Sequence, residues 1–189
     1  MRLTGAAESC ELALRGGAAA SIRHVSAADA PQLQRFIRNL SPSSRYLRFL
    51  MAMCELPEDL LRRFTHPQYG RETVLVAVLG ESQIIGLTQF VIDDDGAGCE
   101  FAIVVADAWQ RQGMGASLLR LLMCMAAVRG ARYGHADVLA DNQAMRSLAA
   151  KLGCEIRTNP TAPYLVEIRK QFVPGLLVPQ ECPSANGLA

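Results

Sequence analysis

Trp109-Gln110-Arg111-Gln112-Gly113-Met114-Gly115 lies between an apolar run, Phe101 to Val105, and a helix-patterned run, Ala116 to Leu122. A strand that empties through two glycines into a helix presents several backbone N–H groups with no intrahelical acceptor, and the positive end of the helix dipole stands behind them. The chemistry this offers is anion binding, phosphate above all. Gly113 and Gly115 carry no Cβ and let the main chain come close to that anion. A dinucleotide fingerprint would need a third glycine where Leu118 stands, and an acidic residue at a strand end about 20 residues on. A nucleotide P-loop would need Gly-Lys-Ser/Thr, which is absent. On these residues alone, a chance Gly-x-Gly turn capping an ordinary helix is an equal alternative. Glu100 is the second candidate, a carboxylate in an otherwise apolar strand that leads directly to the junction. Alternation along that strand would equally let it face solvent.

The surrounding elements follow from hydrophobic period. Glu11 to Arg15 and Ala20 to Val25 alternate around Gly16-Gly17, a hairpin signal. Ser26 to Asp29 supplies helix-start residues, and Leu33, Phe36, Ile37 and Leu40 recur at helical spacing until Ser41-Pro42. A second helix is expected over Ser43 to Met53, and a third over Pro57 to Phe64 with the proline in its first turn. Thr73–Leu79, Ile84–Val91 and Cys99–Val105 read as an antiparallel meander, with turns at Gly80-Glu81 and Asp93-Asp94-Asp95-Gly96. Then come a helix from Gly113 to Arg129 ended by Gly130, a strand Tyr133–Leu139, a helix Asn142–Leu152 closed by Gly153, and a strand Tyr164–Ile168. A meander followed by strand, helix, strand, helix and strand predicts an α+β domain with a mixed, twisted sheet flanked by helices. It is expected to span residues 11–172, between a frayed terminus (1–10) and a loose, proline-bearing tail (173–189).

Composition narrows the function classes. Half of the 189 residues are hydrophobic, enough for one core, and 19 Lys and Arg against 18 Asp and Glu leave no net field to draw the chain to nucleic acid or an anionic membrane. An anionic ligand must therefore be held locally. The six cysteines form no Cys-x-x-Cys pair and have no histidine at metal spacing, so no metal site and no disulfide framework is expected. Cys99, Cys124 and Cys154 sit in apolar-patterned segments, as buried thiols of a reducing compartment do. No apolar run approaches the ~20 residues needed to span a bilayer, and Met1 to Gly5 lacks the apolar core of a signal peptide, so a cytoplasmic protein is expected.

Gln110, Gly113 and Gly115 fill the pattern Gln/Arg-x-x-Gly-x-Gly/Ala at a strand-to-helix junction, which resembles the acyl-CoA loop of the GNAT acetyltransferase superfamily. The order of elements matches that fold over roughly residues 20 to 170. Asp141 to Leu148 resembles the superfamily's second motif, in which an asparagine opens a helix beside the CoA arm; Asn142 holds that place and is equally a plain helix N-cap. Leu40 to Phe49, Arg71-Glu72, Ile84-Ile85-Gly86 and Cys99 to Ala102 together look like the acetyltransferase domain of bacterial protein lysine acetyltransferases.

The resemblance implies acetyl-CoA as co-substrate, held by Gln110, Arg111, Gln112, Gly113, Met114, Gly115 and Ala116 at its pyrophosphate, by the backbone of Ile103, Val104 and Val105 at its pantetheine, and by Asn142. It implies transfer of the acetyl group to a primary amine, a protein lysine first, with Glu100 as general base. A small-amine or polyamine acceptor and a non-catalytic acyl-CoA-binding module are the alternatives, and a homo-oligomer is left open. Burial beside Phe101 and Ile103 is expected to make Glu100 a stronger base. Many members place a tyrosine seven residues after the motif asparagine to protonate the departing thiolate, but here that residue is Ala149; Tyr164 and Ser147 are weak substitutes. His24, His66 and His135 are isolated in the sequence, and Asp93 to Asp95 could attract a cationic peptide. Arg45 reads as a solvated helix charge, while Arg48 and Arg71 are open between that role and CoA phosphate.

Overall fold

The computed structural model describes residues 9–14 and 17–172. The proposed tail and most of the frayed terminus lie outside these residues, as do Arg15 and Gly16 of the first hairpin. Eight strands form one sheet in the order β1-β2-β3-β4-β5-β6-β8-β7. They are β1 (Cys10–Ala13), β2 (Ala19–His24), β3 (Glu72–Leu79), β4 (Gln83–Ile92), β5 (Gly98–Val105), β6 (Tyr133–Leu139), β7 (Glu155–Thr158) and β8 (Leu165–Gln171). Neighbours are antiparallel except β5 and β6, which run parallel. Cys10, inside the stretch expected to fray, is a buried residue of β1. Strand β7 has no counterpart in the sequence expectation. Glu-Ile-Arg-Thr offers one apolar residue, too little period to read, and it is ordered by pairing with β8 at the sheet's edge.

Five helices cover the sheet: α1 (Ala30–Asn39), α2 (Pro42–Phe49), α3 (Glu58–Thr65), α4 (Met114–Val128) and α5 (Gln143–Lys151). Two cores result. One lies under α4 and α5 and takes Cys99, Phe101 and Val105 of β5. The other lies under α1 and α3 and takes Val104, so that by alternation Glu100 and Ala102 also face the α1–α3 side. Strand β3 is buried along nearly its whole length because a helical layer covers each face.

Helix α2 stops earlier than expected. Leu50 takes a left-handed conformation (φ 55°) and closes the helix with its N–H on the Tyr46 carbonyl at 2.8 Å, and Arg45 ties the chain beyond it. Far from being solvated, Arg45 is buried and donates to the carbonyls of Met53 (2.8 Å), Arg38 (3.1 Å) and Leu40. A cation among the unpaired carbonyls that end α1 satisfies them and opposes the negative end of that helix. Pro57 stands at the N-cap of α3, one position before the expected first turn.

Candidate active site

The junction after β5, the expected anion cradle, is built from left-handed residues and unpaired backbone N–H groups. Gly113 is the N-cap of α4 with φ +94°, a conformation open to glycine at little cost, and Arg111 two residues earlier is left-handed at +58°. This path turns successive N–H groups to one side. Among the described residues, the N–H groups of Arg111, Gln112, Gly113, Met114 and Gly115 have no acceptor. Ala116 departs from expectation because its N–H is already spent on the Gly113 carbonyl at 3.0 Å. At Gly115, a Cβ would come within 3.3 Å of Leu148, which packs α5 close against the cradle.

The side chains of the segment look inward. Gln110 donates to the Val105 carbonyl (3.0 Å) and the Ser44 hydroxyl (3.1 Å), and Gln112 donates to the Ala108 carbonyl (2.9 Å). Met114 is buried against the α4 core, while Arg111 is exposed. The cradle's free donors are thus main-chain groups, and the glutamines shape the loop. Asn142 caps α5 by accepting from the Met145 N–H at 3.0 Å, which realises the N-cap alternative.

Asp107 is a residue that the sequence reading passed over. It accepts from the Ser41 N–H (2.9 Å), the Ser41 hydroxyl (2.7 Å) and the Ser44 hydroxyl (2.7 Å), so the start of α2 is tied to the lead-in of the cradle. Partial desolvation pushes its carboxyl up, but these hydrogen bonds prevail and hold it below the ordinary carboxylate range. The signal was present as Ser-x-x-Ser opening one helix and an aspartate following a strand, but 63 or more residues separate them.

Beside the cradle the sheet opens. Strands β5 and β6 pair only from Gly98 to Glu100, opposite Tyr133 to His135. Beyond Glu100 the β6 side of the β5 backbone, from Phe101 to Val105, has no strand partner, although both strands continue. The Val105 carbonyl is occupied by Gln110. Glu100 stands where the strands part, five residues or about 17 Å along the strand from Val105. Its expected burial does not occur: the residue is exposed, and its carboxylate accepts no hydrogen bond within the described residues. The reason is alternation: Phe101 and Ile103, an odd number of residues away, lie on the opposite face of β5.

Glu100 belongs to a rung that crosses the sheet through Glu72, Val91, Glu100, His135, Arg169 and Glu155. Glu72 is paired with Arg63 at 2.9 Å. His135 is not isolated, since its Nε2 lies 3.1 Å from each carboxylate oxygen of Asp93. Arg169 stacks on the Tyr133 ring at 3.7 Å. The acidic turn is likewise spent internally: Asp93 faces His135, Asp94 pairs with Arg71, and Asp95 accepts from the Ala97 N–H at 2.8 Å. That pairing answers the question left open for Arg71. His66 contacts the Thr65 hydroxyl at 3.1 Å. The Cys99 thiol, buried in β5, is pushed up to about 12, first by desolvation and then by Asp93. Ala149 is fully buried, whereas Tyr164 and Ser147 are exposed. Among the described residues no helix is long and apolar enough to cross a membrane.

The profile of the Acetyltransferase (GNAT) family matches residues 42–154. An acetyltransferase of Pseudomonas aeruginosa is 32% identical over 135 residues, which take in 70% of this chain and 73% of that protein. Among solved structures, the GNAT domain of PAT from S. lividans superposes with a TM-score of 0.81 at 25% identity, covering 89% of this chain and 99% of that one. RimL, a ribosomal L7/L12 alpha-N-protein acetyltransferase in complex with coenzyme A, gives a TM-score of 0.66 over 81% of this chain and 94% of its own; at 15% identity that likeness is one of fold. A profile match over more than half the chain, joined to that degree of identity with an acetyltransferase, agrees with what the cradle and the parted strands can do: the chain belongs to the GNAT acetyltransferase family and is an acyl-CoA-dependent N-acetyltransferase.

Proposed function

We propose that the protein transfers the acetyl group of acetyl-CoA to the side-chain amine of a protein lysine, with Glu100 as general base. The observation that carries this reading is the position of Glu100. It is an exposed carboxylate without a hydrogen-bond partner, at the point where β5 and β6 separate and on the strand that ends at the cradle. The free N–H groups from Arg111 to Gly115 suit a pyrophosphate. The unpaired backbone edge of Ile103 and Val104 suits the amides of an extended arm, and Asn142 holds α5 beside it. Acetyl-CoA, when bound, supplies an activated acyl carbon and a thiolate leaving group.

The acceptor must arrive neutral. A lysine of pKa ~10.4 is unprotonated in about 1 molecule in 2,500 at pH 7, a handicap of about 4.6 kcal/mol that a positioned carboxylate relieves by taking the proton. A thiol of pKa near 8.5 departs as thiolate at a cost of only ~2 kcal/mol at pH 7. Solvent protonation therefore suffices where Ala149 replaces an acid. The polyamine alternative loses support because the carboxylates of the Asp93–Asp95 turn are already engaged.

Incubation of a cell extract with isotopically labelled acetyl-CoA, with and without the enzyme, tests the acceptor class. Enzyme-dependent label on specific protein lysines is expected. Label confined to small amines would overturn the lysine reading, and acetyl-CoA binding without any transfer would overturn turnover itself.

A further inference from the structure

Arg48 lies in the last turn of α2, which packs on β5, the strand of Glu100, and its guanidinium is not used as an arginine in this setting normally is. Its Cζ lies 4.9 Å from the centroid of the Phe49 ring and 5.7 Å from that of Phe64, so the group rests against two aromatic side chains that meet edge to face. Nε and Nη2 are both buried, and neither has a hydrogen-bond partner; among the described residues no other side chain has two such atoms. Burial lowers the guanidinium to about 10 and the charge of Glu100 opposes that fall, so it is a cation at neutral pH. An unmet donor in a dry site carries its full desolvation penalty, larger still when charged.

On the same side of the sheet, where Phe49 and Phe64 pack and Glu100 faces by alternation with Val104, stands the one carboxylate of the rung that lacks a partner of its own. Glu72 is held by Arg63, His135 by Asp93, and Arg169 by the Tyr133 ring and Glu167 (3.4 Å). Glu155 is paired with Arg157. What remains, on one side of the sheet and where α2 packs on β5, is a carboxylate without donors and a guanidinium edge without acceptors.

We infer that Arg48 is a positioning residue for Glu100, its Nε–Nη2 edge receiving the carboxylate side-on when the acceptor occupies the site and so fixing the base against the incoming amine. The fork geometry of arginine matches a carboxylate through two parallel hydrogen bonds, and the ring contacts restrict the movement of the fork. A carboxylate has about four acceptor sites, so two spent on Arg48 leave others to take the amine proton. This inference rests on the assignment of Glu100 as base.

The cycle Arg48→Met, Glu100→Gln and the double variant tests it, with Arg48→Lys alongside. Arg48→Met is expected to lower kcat by about tenfold or more while leaving KM for acetyl-CoA within about twofold. Its melting temperature should hold or rise, because a buried cation without donors satisfied is removed and similar volume retained. Lysine keeps the charge without the fork, so Arg48→Lys should recover only part of kcat. In the Glu100→Gln background, Arg48→Met should cost nothing further. A wild-type kcat in both Arg48 variants would overturn the inference, as would an undiminished loss in the Glu100→Gln background. A raised acceptor KM with unchanged kcat would also overturn it, placing Arg48 on the acceptor. Should Arg48→Met fail to fold, a wild-type kcat in Arg48→Lys would mark the residue as structural. An unchanged kcat in Glu100→Gln itself is a separate result, which removes the base on which the inference depends.

Discussion

Glu100→Gln keeps the size of the side chain and removes its basicity. Since the carboxylate makes no hydrogen bond that the fold depends on, the loss should fall on chemistry. Turnover is expected to drop by roughly 10²–10⁴-fold with acetyl-CoA affinity nearly unchanged, read by steady-state kinetics and calorimetry. Wild-type acetylation near neutrality would make Glu100 a surface glutamate. Gly115 tests the other end of the site. A valine there would bring its Cβ within 3.3 Å of Leu148 and crowd the neighbouring free N–H groups. A folded Gly115→Val protein should bind CoA at least about tenfold more weakly; equal affinity would count against the cradle.

The elements of the site are coupled by Asp107, which joins the start of α2 to the loop between β5 and α4. Asp107→Asn should raise KM for acetyl-CoA more than it lowers kcat, because it loosens the loop that presents the N–H groups. The same carboxylate, with Asp29, gives the acid behaviour its sign. Asp29 is held below its ordinary value first by the Arg23 hydrogen bonds at 2.7 Å, against some desolvation. Both carboxyls bind protons less readily in the folded chain than in the unfolded one. The stability they contribute is complete above the unfolded value of ~3.9 and is lost as pH falls through the lower folded values. Denaturant midpoints measured from about pH 6 down to about pH 3 should fall, and less steeply in Asp107→Asn than in the wild type. Parallel slopes would mean that the Ser41 and Ser44 bonds contribute nothing to folding.

At the scale of the molecule, the helices α1–α3 cover one face of the sheet only as far as β5, and α4 with α5 covers the other. The rung beyond Glu100, carrying His135, Arg169 and Glu155, is therefore a polar face beside the parted strands. On the lysine reading, a folded protein that carries the acceptor offers surface to that face and to the end of α2, which free lysine or spermidine lacks. Remote contacts of this kind contribute at the transition state, so an intact protein acceptor should show a kcat/KM well above that of either small amine. Equal or better rates with spermidine, measured by thiol release, would favour the small-amine reading.

Sequence alone determined the parts whose signals are local. The strand-glycine-helix passage at Gln110 to Gly115 encodes the turned loop and its unpaired N–H groups because φ freedom and free donors are properties of adjacent residues. Hydrophobic period encoded the meander, α1, α4 and α5 for the same reason. Strand β7 escaped because its order comes from β8, and the end of α2 escaped because Arg45 and a left-handed Leu50 stop it where the helical pattern runs on. The environment of each charged group belonged to the tertiary structure. Alternation set Glu100 on the face opposite Phe101 but could not say which face would be covered, and the packing of α4 and α5 over the Phe101 side left Glu100 in the open. The pairing of His135 with Asp93, the clamp of Asp107 on Ser41 and Ser44, and the unmet donors of Arg48 all join residues distant in the chain. Such electrostatics depend on distance in space and on the water left between the charges, and neither exists until the sheet has assembled.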